Sequence, residues 1–290
     1  MPLSGTYVPA ARVFYGGTRQ CTPLLDRLAP ARAAGFTAVS VWPGDMRGLK
    51  TAEVVQAVSD AGLFVSEIEL ITNWMPPHAT SENAFGKFLS AMTADRVLPL
   101  AVEMGASTVS VAELFGLDYD RKLMAKHFGE LCDKAAAHGL RVALEFVPTG
   151  GVPGLAEAME VIDTAGRSNG GLMVDVWHVF RSNSSLDMLA SIPGDRIFSV
   201  QLNDALATPE ADLNQGMMNR LLPGEGELDL RAFMQAIAAT GTTAFLGVET
   251  FSKDLDQLPT DVAAHRCAAA LGRCLNFAST TQAHSPTGLV

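Results

Sequence analysis

One unit recurs along this chain. A helical segment closes on a small residue followed by glycine, and an apolar strand begins at once. It occurs at Ala34-Gly35 before FTAVSVW, Ala61-Gly62 before LFVSEIEL, Met104-Gly105 before ASTVSVAEL, His138-Gly139 before LRVALEF, and Thr240-Gly241 before TTAFLGVE. Two variants are Gly170-Gly171 before LMVD and Pro193-Gly194 before DRIFSVQL. Glycine just past a helix is the left-handed cap that turns the chain into the next strand. With VFY (Val13–Tyr15) at the start, the pattern predicts eight strands, each followed by a helix.

The intervening segments have helical periodicity. Met124, Phe128, Leu131 and Ala135 recur at helical spacing, as do Phe85, Phe88, Leu89 and Met92. Pro99 is expected to kink or split the helix that follows the third strand. Eight β-then-α units specify an α/β chain folded as a single (β/α)8 barrel. A doubly wound sheet would carry a phosphate loop, and neither GxGxxG nor GxxxxGK[ST] is present. The expected division is a barrel over residues 1–278 and a loose tail over 279–290.

Active sites of such barrels gather at the C-terminal ends of the strands. Strand five ends on Glu145, strand six on Asp175, and strand eight on Glu249. Strand seven carries Gln201 near its end, with Asn203 and Asp204 just beyond. Taken singly, Asp175 reads equally as a helix N-cap, Glu145 as a surface strand end and Gln201 as a core amide. Taken together, four consecutive strands bring oxygen donors to one rim. Three unpaired carboxylates there would repel one another, and a divalent cation resolves that repulsion. The predicted metal ligands are therefore Glu145, Asp175, Gln201 and Glu249. An all-oxygen set suits Mn²⁺ first, with Mg²⁺, Co²⁺ or Zn²⁺ also admissible.

These residues resemble the xylose-isomerase-like barrels, a group of sugar phosphate isomerases and epimerases related to ketose 3-epimerases and 3-dehydroshikimate dehydratases. The motifs are ALEF at Glu145, DVWH at Asp175–His178, VQLND at Gln201, PGEGELDL at Pro223–Leu230 and GVETFS at Glu249. The likeness runs from about Val13 to Phe277. In that family the matching Glu, Asp and Glu bind one metal. Many members place a histidine third, whereas this chain has Gln201, as in the dehydratase branch and in members with a QLxD motif. The resemblance implies proton abstraction next to a carbonyl, with the metal stabilising an enediolate. It makes Glu145 and Glu249 the catalytic carboxylates.

His178, at the top of the loop after strand six, reads either as a loop histidine packed under Trp177 or as a group acting on a substrate hydroxyl; the resemblance favours the second. Arg220 reads as an anchor for an anionic substrate group or as a solvated loop cation. Trp42 and Trp74 are expected to wall the pocket. Glu67 and Glu69 are expected to divide between the barrel interior and its outside, with Glu69 facing substrate. Glu113 follows strand four, and Glu225 and Glu227 read as solvated loop residues.

Of 290 residues, 48% are apolar and 18% charged, enough to bury a large core. The net charge of −10 argues against a nucleic-acid or membrane-surface role. The N-terminal stretch lacks a signal-peptide pattern, and no apolar run reaches the roughly 20 residues that span a bilayer. Cys21, Cys132, Cys267 and Cys274 show no CxxC spacing and read as buried thiols of a reducing cytoplasm, with Cys267 and Cys274 on one helix face. The expected partner is a small hydroxy-ketone, with homo-oligomerisation left open. The first expectation is a metal-dependent isomerase or epimerase of a sugar or polyol. The second is a lyase that dehydrates a cyclic β-hydroxyketone. A DNA-repair endonuclease is more distant, because its three-zinc site needs many histidines and this chain has six in all. A non-catalytic binding module would require the four strand-end donors to be coincidence.

Overall fold

The computed structural model describes residues 15–16, 22–76, 79–80 and 82–279. Its strands are β1 Tyr15–Gly16, β2 Ala38–Val41, β3 Phe64–Ile71, β4 Thr108–Val111, β5 Arg141–Glu145, β6 Gly170–Asp175, β7 Ile197–Leu202 and β8 Phe245–Glu249. Between and after them run α1 Leu24–Ala33, α2 Thr51–Asp60, α3 Ala84–Ser90, α4 Ala94–Glu103, α5 Arg121–Ala136, α6 Leu155–Ala165, α7 Val176–Arg181, α8 Leu186–Ser191, α9 Leu213–Met217, α10 Leu230–Thr240, α11 Lys253–Asp256 and α12 Thr260–Ser279. The strands are parallel and hydrogen-bonded in the order β1-β8-β7-β6-β5-β4-β3-β2. β1 also lies against β2, so the sheet curls round on itself as a (β/α)8 barrel.

The glycine rule of the sequence has its physical basis here. Gly35, Gly62, Gly105, Gly139 and Gly241 all take positive φ, which an L side chain rarely adopts. Gly170 and Gly171 do not cap a helix: they lie inside β6, and the cap is Gly166, with φ 63°. Met124, Phe128, Leu131 and Ala135 are buried as their spacing predicts. Cys267 and Cys274 share the buried face of α12, and burial pushes both thiols, like that of Cys132, up to about 12. Of the tail expected over 279–290, Ser279 closes α12; residues 280–290 and Cys21 fall outside the described residues, as do Val13 and Phe14 of the first strand.

Pro99 neither splits nor ends its helix. It lies within α4, and the break comes earlier, between α3 and α4. There the Met92 carbonyl accepts the N–H groups of Thr72 and Asn73 at 3.0 Å each. That carbonyl is spent on the exit of β3 instead of on a continuing helix. None of the helices is long and apolar enough to cross a membrane, among the described residues.

Candidate active site

Asp175 ends β6 and fills two roles at once. Oδ1 accepts the His178 N–H at 3.0 Å, capping α7, which starts at the next residue. Oδ2 accepts from Asn203 Nδ2 and from Arg220 Nη1, both at 2.8 Å. The N-cap reading of Asp175 therefore holds, and its second oxygen is turned to Asn203 and Arg220. His178 stands on that short helix and not in a loop, because a capping aspartate starts a helical turn directly off the strand. The Trp177 and His178 rings pack edge to face, 5.3 Å apart.

Parallel register sets the neighbours. Asp175 pairs with Gln201, and Glu145 with Met173. Glu145, Asp175 and His178 each offer a donor atom, and the three lie within 4.8 Å of one another. His178 Nε2 is 3.3 Å from Glu145 Oε1 and 3.4 Å from Arg220 Nη2; the tautomer decides which contact is the hydrogen bond. Arg220 Nη1 reaches Glu249 Oε2 at 2.9 Å as well as Asp175. Arg220 is thus neither a solvated loop cation nor an open anion anchor. It is buried between two carboxylates and beneath the rings of Trp177 and Phe251. Burial opposes its charge, but Asp175, Glu249 and Glu145 outweigh burial and raise its pKa.

Glu67 and Glu69 both face the barrel interior. Residues two apart on a strand share a face, so no division between inside and outside arises. Glu67 accepts from Ser199 Oγ at 3.0 Å across the barrel, and Glu69 Oε2 accepts from Gln201 Nε2 at 3.2 Å. Burial pushes the Glu67 carboxyl up to about 8, and the Ser199 hydrogen bond only partly offsets it. Burial, then the neighbouring Glu67, raises Glu69 well above the carboxylate range. Glu249 is also raised, by burial and then by Glu69, against the pull of Arg220.

Above these groups opens a cleft of about 470 Å³. Its polar lining includes Glu69, Glu145, His178, Arg220 and Glu249, and its apolar lining includes Trp42, Phe85, Met217 and Phe251. Asp175 and Gln201 lie just beneath, fully buried. Trp74 is not in this wall. Its indole is buried, packs edge-on to Phe128 and donates to the Ala112 carbonyl at 3.2 Å, because β3 runs to Ile71 and the chain then turns into the core. Ser40 and Asp45 line the cleft without having been singled out in the sequence, where a short polar residue on or after β2 carries no signal of its own.

Other rim carboxylates build loops. Glu113 accepts the N–H groups of Phe115, Gly116, Leu117 and Gly151. Asp204 collects those of Ala205, Gly224, Gly226 and Leu228, which makes VQLND and PGEGELDL one folded unit. Asp204 and Leu221 also exchange two backbone hydrogen bonds, at 2.8 and 2.9 Å. Glu227 accepts the Ala207 N–H, and Glu225 pairs with Arg266, so neither is simply solvated.

Gln201 Oε1 is buried and has no hydrogen-bond partner, while its nitrogen is committed to Glu69. A buried amide oxygen without a partner is costly. The oxygens of Asp175 and Glu249 meanwhile converge on a single cationic nitrogen. Among the described residues, the group whose donor atoms lie close enough to share a divalent cation is Glu145, Asp175 and His178.

Comparison with known proteins gives the lineage. The 3-dehydroshikimate dehydratase of Pseudomonas aeruginosa is 28% identical over 242 residues, which cover 82% of this chain and 37% of that protein. The inosose isomerase of Bacillus subtilis is 32% identical over 136 residues, 46% of this chain and 48% of that protein. The chain thus spans less than half the length of the curated relatives it matches. A crystal structure of the IOLI protein with a zinc atom aligns with a TM-score of 0.77 at 20% identity, covering 92% of this chain and 97% of that one, a likeness that shows the fold. Residues 28–270 match the xylose isomerase-like TIM barrel family, and the chain belongs to it.

Proposed function

We propose that this protein is a metal-dependent enzyme that removes the proton next to the carbonyl of a polyhydroxylated ketone and expels the β-hydroxyl as water. Glu145, Asp175, Gln201 and Glu249 would hold the ion, for which Mn²⁺ is the first candidate. A divalent cation in that position supplies stabilisation of negative charge on the carbonyl oxygen. Glu145 takes the α-proton. The C–H electrons first pass onto the carbonyl oxygen; they then return to form the new double bond as the β C–O bond breaks, and His178 gives its proton to the departing hydroxyl. Arg220 holds Asp175 and Glu249 in place throughout.

The observation that carries this reading is the 3.3 Å contact between His178 Nε2 and Glu145 Oε1. Elimination leaves Glu145 protonated and His178 without its proton. The contact lets that proton pass back directly, so each cycle resets without solvent. The long match to a dehydratase supports the same reading.

Isomerisation or epimerisation, which the sequence put first, is the second reading. Glu145 and Glu249 stand on strands three places apart and both line the cleft, so they meet a substrate from different sides. The match to an inosose isomerase supports it. It requires Glu249 to deliver a proton while paired with Arg220, and for that reason it ranks second. Incubation of the metal-loaded protein with inosose and with 3-dehydroshikimate in D₂O separates the two. Loss of water from the ketone supports the lyase. An isomeric ketone carrying solvent deuterium, with no dehydrated product, overturns it in favour of the isomerase. Neither turnover nor exchange with any polyhydroxy ketone would leave a binding module.

A further inference from the structure

The cleft has a second polar pole that none of the chemistry above uses. Asp45 follows β2, across the barrel from Asp175 on β6, and lines the cleft. Arg27 of α1 reaches it from behind, with Nη2 2.7 Å from Oδ2. The Arg27 side chain is only 5% exposed and that of Asp45 is 28% exposed. A buried guanidinium is costly unless paired. One carboxylate oxygen is thereby held in an ion pair, without a hydrogen bond from Nη2, and the Asp45 side chain stays partly exposed. Beside it stands Trp42, 37% exposed and braced edge-on by Phe88 at 4.8 Å. Gly44 lets the indole fold down over the turn, since a Cβ there would come within 2.5 Å of the ring. The backbone N–H of Asp45 donates to the Trp42 carbonyl at 2.9 Å, tying the two together.

We infer that Asp45 is a substrate-specificity residue, accepting hydrogen bonds from hydroxyls remote from the reacting carbonyl while Trp42 covers the C–H face of the same end. Arg27 is its positioning residue. The pole takes uncharged hydroxyls: Asp45 would set like charge against a carboxylate or phosphate. This rests on the polyhydroxy-ketone reading and narrows it to substrates that are neutral at this end.

Calorimetric titration of metal-loaded protein with two probes, neutral inosose and anionic 3-dehydroshikimate, tests the inference. Asp45→Ala and Asp45→Asn should each weaken inosose binding by about 10–100-fold, the scale of one lost hydrogen bond to a charged group. Neither should weaken 3-dehydroshikimate, and Asp45→Asn should strengthen it by removing like charge. Arg27→Met, which frees the carboxylate without deleting it, should weaken inosose less than Asp45→Ala. Thermal melts of each variant check folding. Equal loss for both probes would mean a merely structural Asp45, and unchanged inosose binding would mean no contact; either overturns the inference alone. Wild-type protein that binds neither ketone would overturn the functional reading itself.

Discussion

Gln201 gives its amide nitrogen to Glu69 at 3.2 Å, which leaves its oxygen buried without a partner. Glu69 thereby decides which end of the amide is left unpaired. Gln201→Ala should lower metal affinity by about 10–100-fold, as for other changes close to a metal. Metal content after dialysis, compared with wild type, checks this. Donor–metal distances should be about 2.0–2.3 Å. Full metal content and full activity in Gln201→Ala would remove Gln201 from the set.

Arg220 stands between Asp175 and Glu249 as a fixed positive charge, with side-chain exposures of 1%, 0% and 9% for the three groups. Arg220→Met would leave two buried carboxylates uncompensated, at a cost of about 3–5 kcal/mol. The metal-free variant should melt well below wild type. Added Mn²⁺ should then raise its melting temperature by more than it raises that of wild type, because the ion restores the missing charge. Equal shifts in both proteins would argue against a shared role.

Glu145→Gln and Glu249→Gln should each lower turnover by about 10²–10⁴-fold, the worth of general acid–base catalysis. Metal content must be measured on the same samples, since both residues are proposed ligands. A metal-loaded Glu145→Gln that turns over normally would exclude Glu145 as the base.

His178→Asn divides the two reactions. In a lyase, water loss should nearly vanish while exchange of the α-proton with D₂O persists, because Glu145 still abstracts and only the acid is missing. In an isomerase the variant should keep much of its rate, since Asn still hydrogen-bonds a hydroxyl. Loss of exchange together with turnover, in metal-replete protein, would place His178 in the first proton transfer and overturn this division of labour.

The carboxyl of Glu67, held near 8 by burial, links stability to pH. The folded state keeps a proton that the unfolded chain releases near its ordinary value of 4.5. This contribution is full below that value, shrinks as pH rises, and is gone above about 8. Glu67→Gln should therefore melt a few degrees above wild type at pH 8, with the gap closing by pH 5. Metal-free protein followed by circular dichroism provides the measurement, and a gap that does not vary with pH would exclude the linkage.

The strand-end donors were legible because barrel geometry turns chain position into spatial position. Once the strands are counted, Glu145, Asp175, Gln201 and Glu249 must share a rim. What depends on side-chain reach was not legible. Arg220 lies 45 residues from Asp175, in a loop whose path no periodicity reports. The role of Asp204 is equally hidden, since its four donors are backbone groups. Glu67 was readable in principle, because residues two apart share a strand face, but its interior position alongside Glu69 was missed. Trp74 was misplaced by position alone: it follows β3, yet the chain has already turned inward.

The hydrogen-bonded pair Asp204–Leu221 has a consequence for how this barrel can change. It closes the intervening segment into a cassette with fixed ends. From inside that cassette come Met217, Met218 and Arg220, three of the groups that meet the cleft. Length and composition can drift within it while the barrel beneath keeps its register. A lineage, or an engineer grafting loops, can thus alter what the cleft admits by exchanging one short insert, provided that an arginine returns at its last position to guard the carboxylates.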